Sequence, residues 1–116
     1  MKQNKSNIAK RIRRHAKIRA KIFGTPAMPR LSVFKSNKHI SVQIIDDESA
    51  KTLVASHSRD AKGKTLLEKS VSLGLDIAEK AKAKKITKIV FDRGGFRYTG
   101  AVKAVADSAR KGGLQF

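Results

Sequence analysis

The sequence contains no cysteine and only three histidines. The absence of thiols excludes a disulfide framework, a thiolate zinc site and a cysteine nucleophile. The histidines, His15, His39 and His57, do not have the spacing of metal ligands, and we predict no metal site and no cofactor. Apolar runs are short as well: none approaches the roughly 18 residues that span a bilayer, and the N-terminus lacks the apolar segment of a signal peptide. We therefore expect a cytoplasmic protein with no membrane partner.

Acidic residues are also scarce. The 116-residue chain has 9 Asp and Glu against 27 Lys and Arg, a net charge of +18. A charge this large opposes compaction through self-repulsion and indicates a polyanionic partner, of which nucleic acid is the commonest. The first carboxylate is Asp46, so residues 1–45 carry +12 of the +18 without a single acid. The length suits one domain with one modest core.

Residues 1–22 are predicted to form a basic arm. Like charges stand three and four residues apart, which destabilises an isolated helix, so we expect an arm that is disordered or frayed alone and is ordered by phosphates. The alternative is a basic helix that packs on the domain through its isoleucines. The arm cations expected to contact nucleic acid are Lys10, Arg11, Arg13, Arg14, Lys17, Arg19 and Lys21.

The arm is predicted to end in a linker at residues 24–29, where a glycine and two prolines cannot continue a helix. We therefore divide the chain into two parts. Residues 1–29 are the basic arm with its Pro/Gly linker, and residues 30–116 are a single α/β nucleic-acid-binding domain.

The domain begins with a predicted β-hairpin, because apolar and polar residues alternate on both sides of a two-residue loop, Asn37-Lys38. This loop length pairs Val33 with Val42 on a core face and Phe34 with Ser41 on the other face. The second face carries small polar groups around one aromatic ring and suits RNA, with Phe34 available to an unpaired base. The alternative is that Phe34 lies under a helix or loop and serves only packing.

The rest of the chain predicts the order β, α, β, α. A third strand is expected at 50–58, a helix at 63–85, a strand at 87–91 and a final helix that ends at Gly112-Gly113. The inner face of the first of these helices is predicted to consist of Leu67, Val71, Gly74, Ala78 and Ala81, with the glycine closely approaching the sheet. The inner stripe of the last helix is predicted to consist of Val102, Val105, Ala106 and Ala109, with Leu114 and Phe116 tucked onto the domain.

The predicted fold is therefore α/β. A three-stranded antiparallel meander is extended by one crossover strand, two helices pack on one face, and the basic N-terminal arm is disordered or helical.

A glycine-containing loop, residues 92–100, connects the last strand to the last helix. Gly94 and Gly95 allow conformations that expose convergent N–H groups, and Arg93 and Arg97 offer forked donors suited to phosphate. Phe96 and Tyr98 alternate with the arginines and are positioned in the sequence to stack on bases. The alternative is a simple strand-to-helix connection with Tyr98 packed on the core.

Catalytic interpretations fail on the motifs. Gly63-Lys64-Thr65 resembles the end of a phosphate-binding P-loop, but Ser58 stands where that motif needs glycine. Asp46, Asp47, Glu48 and Asp92 are carboxylates that magnesium ions of a nuclease would need, yet acidic residues in turns are ordinary. We predict no catalytic residues. The principal rival to RNA binding is a DNA-architectural or nucleic-acid-coating protein, for which the arm alone would suffice.

Three separated motifs, in order, resemble a known family. Residues 29–40, residues 45–47, and residues 90–95 followed by 103–107 and 112–114 are similar to large-subunit ribosomal protein number eighteen in its short bacterial form. The resemblance covers essentially the whole chain. It implies a protein without enzymatic activity that binds 5S rRNA and joins it to 23S rRNA in the central protuberance of the large subunit. It also implies an α/β fold, a mobile basic arm, and ribosomal protein number five among the neighbours; we expect no homo-oligomer.

The resemblance implies RNA contacts from the arm, from the hairpin and from the glycine-containing loop. Beyond the arm, the residues expected to contact RNA are Arg30, Ser32, Phe34, Lys35, Ser36, Asn37, Lys38, His39, Gln43, Arg93, Gly94, Gly95, Phe96, Arg97, Tyr98 and Lys103. Two positions depart from the family pattern, since Thr99 stands where histidine is usual and Ala101 where a basic residue is usual. No contact is carried over to those two positions.

Overall fold

A computed structural model describes residues 5–20, 22–36, 38–98 and 100–116. Lys21, Asn37 and Thr99 lie outside the described residues, and so do the expectations that concern them. The elements in chain order are α1 (Lys5–Arg19), β1 (Arg30–Lys35), β2 (Ile40–Asp46), β3 (Lys51–His57), a short 3-10 helix (Ser58–Asp60), α2 (Leu66–Ala83), β4 (Val90–Asp92) and α3 (Gly100–Lys111).

The four strands form one mixed sheet in the order β3-β2-β1-β4. The first three strands are antiparallel neighbours, and β4 joins β1 in parallel after the helical crossover. The arm is a helix. The predicted α/β fold, with a meander extended by one crossover strand, is confirmed.

The hairpin has the predicted register, with Val33 opposite Val42 and Phe34 opposite Ser41. Its core face is apolar and fully buried, and α2 and α3 cover it. The buried sheet residues are Leu31, Val33, Ile40, Val42 and Ile44. The opposite side of the sheet, which we call the outer face, is therefore free of both of these helices.

The predicted inner face of α2 is partly wrong. Leu67 and Val71 are 53% and 42% exposed, whereas Leu73 and Ile77 are fully buried. Gly74 is buried as predicted, but it lies against α3 and not against the sheet: a Cβ there would stand 2.5 Å from the Val105 carbonyl oxygen. The close approach that this glycine permits is therefore between α2 and α3.

The start of α2 is later than predicted because a capping box fixes it. The Thr65 hydroxyl accepts a hydrogen bond from the Glu68 amide at 3.2 Å, and the Glu68 carboxylate accepts one from the Thr65 amide at 3.2 Å. These bonds satisfy amide groups that the first turn leaves without helical partners. The helix consequently begins at Leu66 and not at residue 63.

The last strand is displaced from its predicted position at 87–91. Residues 87–89 of the predicted strand bond to the C-terminal segment and not to β1. The Ile89 amide donates to the Gln115 carbonyl at 3.1 Å, and the Gln115 amide donates to the Thr87 carbonyl at 2.8 Å. As predicted, Leu114 is buried and Phe116 stacks on Phe91 with ring centroids 5.4 Å apart. The predicted buried stripe of α3 is confirmed as well.

Candidate nucleic-acid interface

The outer face of the sheet carries polar side chains in rows across the strands. Phe34, Ser41 and His57 are aligned across β1, β2 and β3, and Ser32, Gln43 and Ala55 form the neighbouring row. The side chain of Phe34 is 55% exposed, as expected for a ring on the uncovered side of the sheet. On the β2–β3 side, the side chains of Ser41, Gln43 and His57 line a shallow, mostly polar surface, which suits a sugar-phosphate backbone.

The exposed aromatic ring belongs to a pair. Phe96, from the glycine-containing loop, meets Phe34 edge to face with ring centroids 5.8 Å apart. The guanidinium carbon of Arg11 lies 5.0 Å from the Phe96 centroid and 5.7 Å from the Phe34 centroid, within the range of cation–π attraction. The sequence pattern placed these three residues in three separate segments and gave no sign that they meet.

A cleft of about 180 Å³ lies beside this pair, between α1, β1 and the loop. Its lining combines aromatic edges, a guanidinium, an imidazole and a hydroxyl: Arg11, Ile12, His15, Ser32, Val33, Phe34, Gly94 and Phe96. Aromatic rings and arginine planes are the groups on which unpaired bases stack. The cleft is thus chemically suited to a nucleobase, and we call it the aromatic cleft.

The double glycine of the loop serves close packing. Gly94 and Gly95 both have positive φ, and a Cβ at the first would stand 2.4 Å from the Val33 carbonyl oxygen, while one at the second would stand 2.5 Å from the Arg11 carbonyl oxygen. Both residues are buried, and the Gly94 amide donates to Asp92 Oδ1 at 2.8 Å. The expectation that Gly94 exposes its N–H for a phosphate is therefore wrong. The backbone of β1 lies against one glycine and the backbone of α1 against the other.

The arm is a helix packed on the domain, as in the alternative interpretation, and polar side chains supply several of the contacts that attach it. Arg14 Nε donates to the Gly95 carbonyl at 2.8 Å, and His15 Nε2 donates to Asp92 Oδ2 at 3.1 Å. Arg19 Nη1 donates to Asp47 Oδ2 at 3.3 Å. In contrast, Ile12 is 58% exposed.

Two acidic residues and Arg30 form a chain of ion pairs under the arm. Arg30 donates from Nε and Nη2 to both Asp47 oxygens, at 2.9 and 3.0 Å, and from Nη1 to Asp92 Oδ2 at 2.8 Å. These hydrogen bonds from Arg30, with one from the Gly24 amide, hold the pKa of Asp47 well below its usual range. The same bond to Asp47 raises the pKa of Arg30. Arg30, predicted to contact RNA, is thus buried and paired within the protein.

The remaining predicted residues divide by accessibility. Exposed side chains are Lys10, Arg13 and Lys17 on α1, Ser36, Lys38 and His39 at the hairpin tip, Gln43 on β2, and Arg97 and Lys103 around the start of α3. Lys35 is partly buried, and Arg93 Nη1 donates to the Phe96 carbonyl at 3.1 Å.

Tyr98 packs edge-on against Phe91 with centroids 5.9 Å apart, and its hydroxyl accepts a hydrogen bond from Arg110. In the structure this ring therefore lies against the core, as in the alternative interpretation of the loop. Its contact with RNA stays a prediction.

Sequence reasoning missed the roles of Asp47, Asp92 and His15. The carboxylates drew attention only as possible magnesium ligands, whereas in the structure both accept hydrogen bonds from arginine. Among the described residues, no group of three or more acidic, histidine or cysteine side chains could hold a metal ion. Within the same residues, no helix has both the length and the apolar character to span a membrane.

Comparison with known proteins gives one consistent family. A family model described as "Ribosomal L18 of archaea, bacteria, mitoch. and chloroplast" matches residues 5–116. The large ribosomal subunit protein uL18 of Thermomicrobium roseum is 49% identical over 98% of this chain and 98% of its own length. The uL18 proteins of Thermotoga neapolitana, 48% identical over the full length of both chains, and of Caldicellulosiruptor saccharolyticus, 53% identical over 92% of this chain and 91% of its own, are similarly close.

Proposed function

The chain belongs to the family of large-subunit ribosomal protein number eighteen, and on that premise we propose that it binds 5S rRNA and helps attach it to 23S rRNA in the central protuberance. It is a structural protein of the large ribosomal subunit and not an enzyme, and in bacteria that subunit lies in the cytoplasm. Ribosomal protein number five is among the neighbours we propose.

The aromatic cleft carries the proposal. A half-exposed phenylalanine beside a second ring and a guanidinium offers an unpaired base a stacking platform, which a purely phosphate-binding protein does not need. Duplex DNA offers no unpaired base to such a cleft. The cleft therefore favours RNA with loops or bulges over the rival function of coating DNA.

The exposed cations supply the sequence-independent part of binding. Lys10, Arg13 and Lys17 lie on the solvent side of α1, and Lys38 and His39 extend the basic surface to the hairpin tip. Contacts to phosphate fix orientation, and contacts to bases add specificity. We propose that the predicted RNA-binding residues of arm, hairpin and loop act in this interface, except Arg30 and Gly94, whose contacts are internal. We also propose that residues 30–116 form the binding domain and residues 1–29 its arm and linker.

Competition between 5S rRNA and duplex DNA tests the proposal. The full-length protein should retain labelled 5S rRNA against an excess of duplex DNA at physiological salt, and its affinity should fall with salt by about 0.7 to 0.9 logarithmic units per unit of log salt for each phosphate contact. Arg13→Gln should lower this slope by about one contact, whereas Lys82→Gln on α2, across the sheet from the outer face, should not. Equal affinity for both nucleic acids would favour the DNA-coating function instead.

A further inference from the structure

Two carboxylates lie beneath α1, within the part of the protein that we propose binds a polyanion. Asp92 is completely buried, and Asp47 is nearly so. A carboxylate in this position repels phosphate, so by charge alone each would weaken RNA binding. The positions of their hydrogen-bond partners point to a compensating role.

Side-chain hydrogen bonds form a closed circuit that begins and ends on α1. Arg19 of α1 pairs with Asp47, Asp47 with Arg30, Arg30 with Asp92, and Asp92 with His15 of α1. The two α1 residues are four positions apart and share one side of the helix. The carboxylates thereby hold the helix at two points one turn apart, which fixes its rotation as well as its distance from the sheet.

Arg11 continues the same side of α1 one turn earlier and lies over the Phe34 and Phe96 rings. With this side held inward, the exposed cations Lys10, Arg13 and Lys17 face solvent. Rotation of the helix would turn these cations away and would remove Arg11 from the aromatic cleft. The orientation of α1 therefore determines both the phosphate-facing and the base-facing parts of the interface.

We infer that Asp47 and Asp92 are positioning residues for RNA: by holding α1 in this orientation, two acidic side chains increase the affinity of the protein for a polyanion. The inference rests on the proposed binding of 5S rRNA. It assigns the carboxylates an effect opposite in sign to that of their charge.

The sign of the effect is the test. In the full-length protein, Asp47→Asn should lower the affinity for 5S rRNA about tenfold, the factor that corresponds to about 1.4 kcal/mol. Its matched control is Glu48→Gln, which removes the adjacent, exposed carboxylate and should leave the affinity unchanged or slightly raised. If Asp47→Asn raises the affinity as bulk charge predicts, the inference is overturned.

Hydrogen exchange of the free protein supplies a readout that does not involve RNA. Asp47→Asn should accelerate exchange of the α1 amides by about tenfold or more while exchange in α2 and α3 stays close to that of the wild type. Uniform acceleration in all helices would show a general stabilising role and would overturn the inference, as would lower RNA affinity with unchanged α1 exchange. If the wild type does not bind 5S rRNA, the proposed function fails, and the exchange data still report whether Asp47 holds α1.

A double-mutant cycle separates positioning from folding. Asp47→Asn and Arg19→Gln should be strongly non-additive in RNA affinity, because each breaks the same link between α1 and the sheet. Additive effects would contradict the inference. The cycle avoids Asp92→Asn, because the two Asp92 oxygens accept hydrogen bonds from His15, Arg30 and the Gly94 amide, and an amide nitrogen in place of one oxygen would leave a donor unpaired and endanger the fold.

Discussion

Phe34→Ala is expected to weaken 5S rRNA binding as well as the fold. Stacking of one base on an aromatic ring contributes roughly 1–3 kcal/mol by alanine substitution, which corresponds to a loss of affinity between about fivefold and 150-fold. The Phe34 ring is accessible for stacking on a base, because the residue is 55% exposed in the protein.

The cost to stability can be estimated from the contacts of the ring. A fully buried phenylalanine loses about 3–5 kcal/mol on truncation to alanine, but Phe34 is less than half buried. Its described aromatic contacts are the edge-to-face pair with Phe96 and the Arg11 guanidinium, for which about 0.5–1.5 and 0.5–1 kcal/mol are typical. We therefore expect a destabilisation of about 1–2.5 kcal/mol from these two contacts.

The assay measures both quantities on the same variants. Affinity for 5S rRNA comes from filter binding at fixed salt, and the free energy of unfolding comes from urea titration. Ile77→Val is the control, because that side chain is fully buried on α2, on the opposite side of the sheet from the outer face, and its truncation should destabilise the protein with little change in affinity. Wild-type affinity for Phe34→Ala, together with a lower stability, would refute the stacking argument and assign the ring to packing alone.

Three further predictions concern the arm and its attachment. Gly95→Ala should release α1 and accelerate hydrogen exchange of its amides, because the added Cβ would stand 2.5 Å from an α1 carbonyl oxygen. The control in the same exchange experiment is Gly100→Ala, which is also at positive φ but has nothing within 4 Å of the added Cβ. The pKa of Asp47 is lowered in the folded protein, so the ionised carboxylate contributes its full stabilisation above the ordinary pKa of 3.8. This stabilisation is lost as the pH falls towards the folded-state pKa. The wild type should therefore lose stability in acid more steeply than Asp47→Asn. Deletion of residues 1–22 should leave a folded domain with a cooperative thermal melt, and an unfolded product would place the arm in the core.

The part of the fold that sequence reasoning predicted correctly is the part that local patterns determine. Alternation of apolar and polar residues around a two-residue loop fixes the hairpin register, because a slip of one residue would turn Val33 and Val42 outward. The stripe of α3 follows in the same way from its 3.6-residue period. Phe34 was placed on the outer face by this reasoning alone.

The errors arise where distant segments meet. Gly74 indicated close packing but not its partner, and α3 rather than the sheet fills that place. The Arg30–Asp92 pair joins residues 62 positions apart, and the Arg14–Gly95 bond joins residues 81 apart. No periodicity reports such contacts. The sequence offered one signal that Asp47 has a charged partner: Asp46 and Asp47 directly follow a basic segment that contains no acidic residue.

The attachment of α1 through ion pairs and hydrogen bonds has a consequence for how salt titrations are interpreted. Arg14, His15 and Arg19 attach the helix through polar contacts to Gly95, Asp92 and Asp47. The side chains of α1 that contact the two carboxylates, Arg19 and His15, are partly exposed, so ions in solution can screen these contacts. Added salt therefore acts twice, once on phosphate contacts and once on the helix that presents them. The number of phosphates inferred from a salt slope will exceed the number touched, by the share that belongs to the protein's own ion pairs.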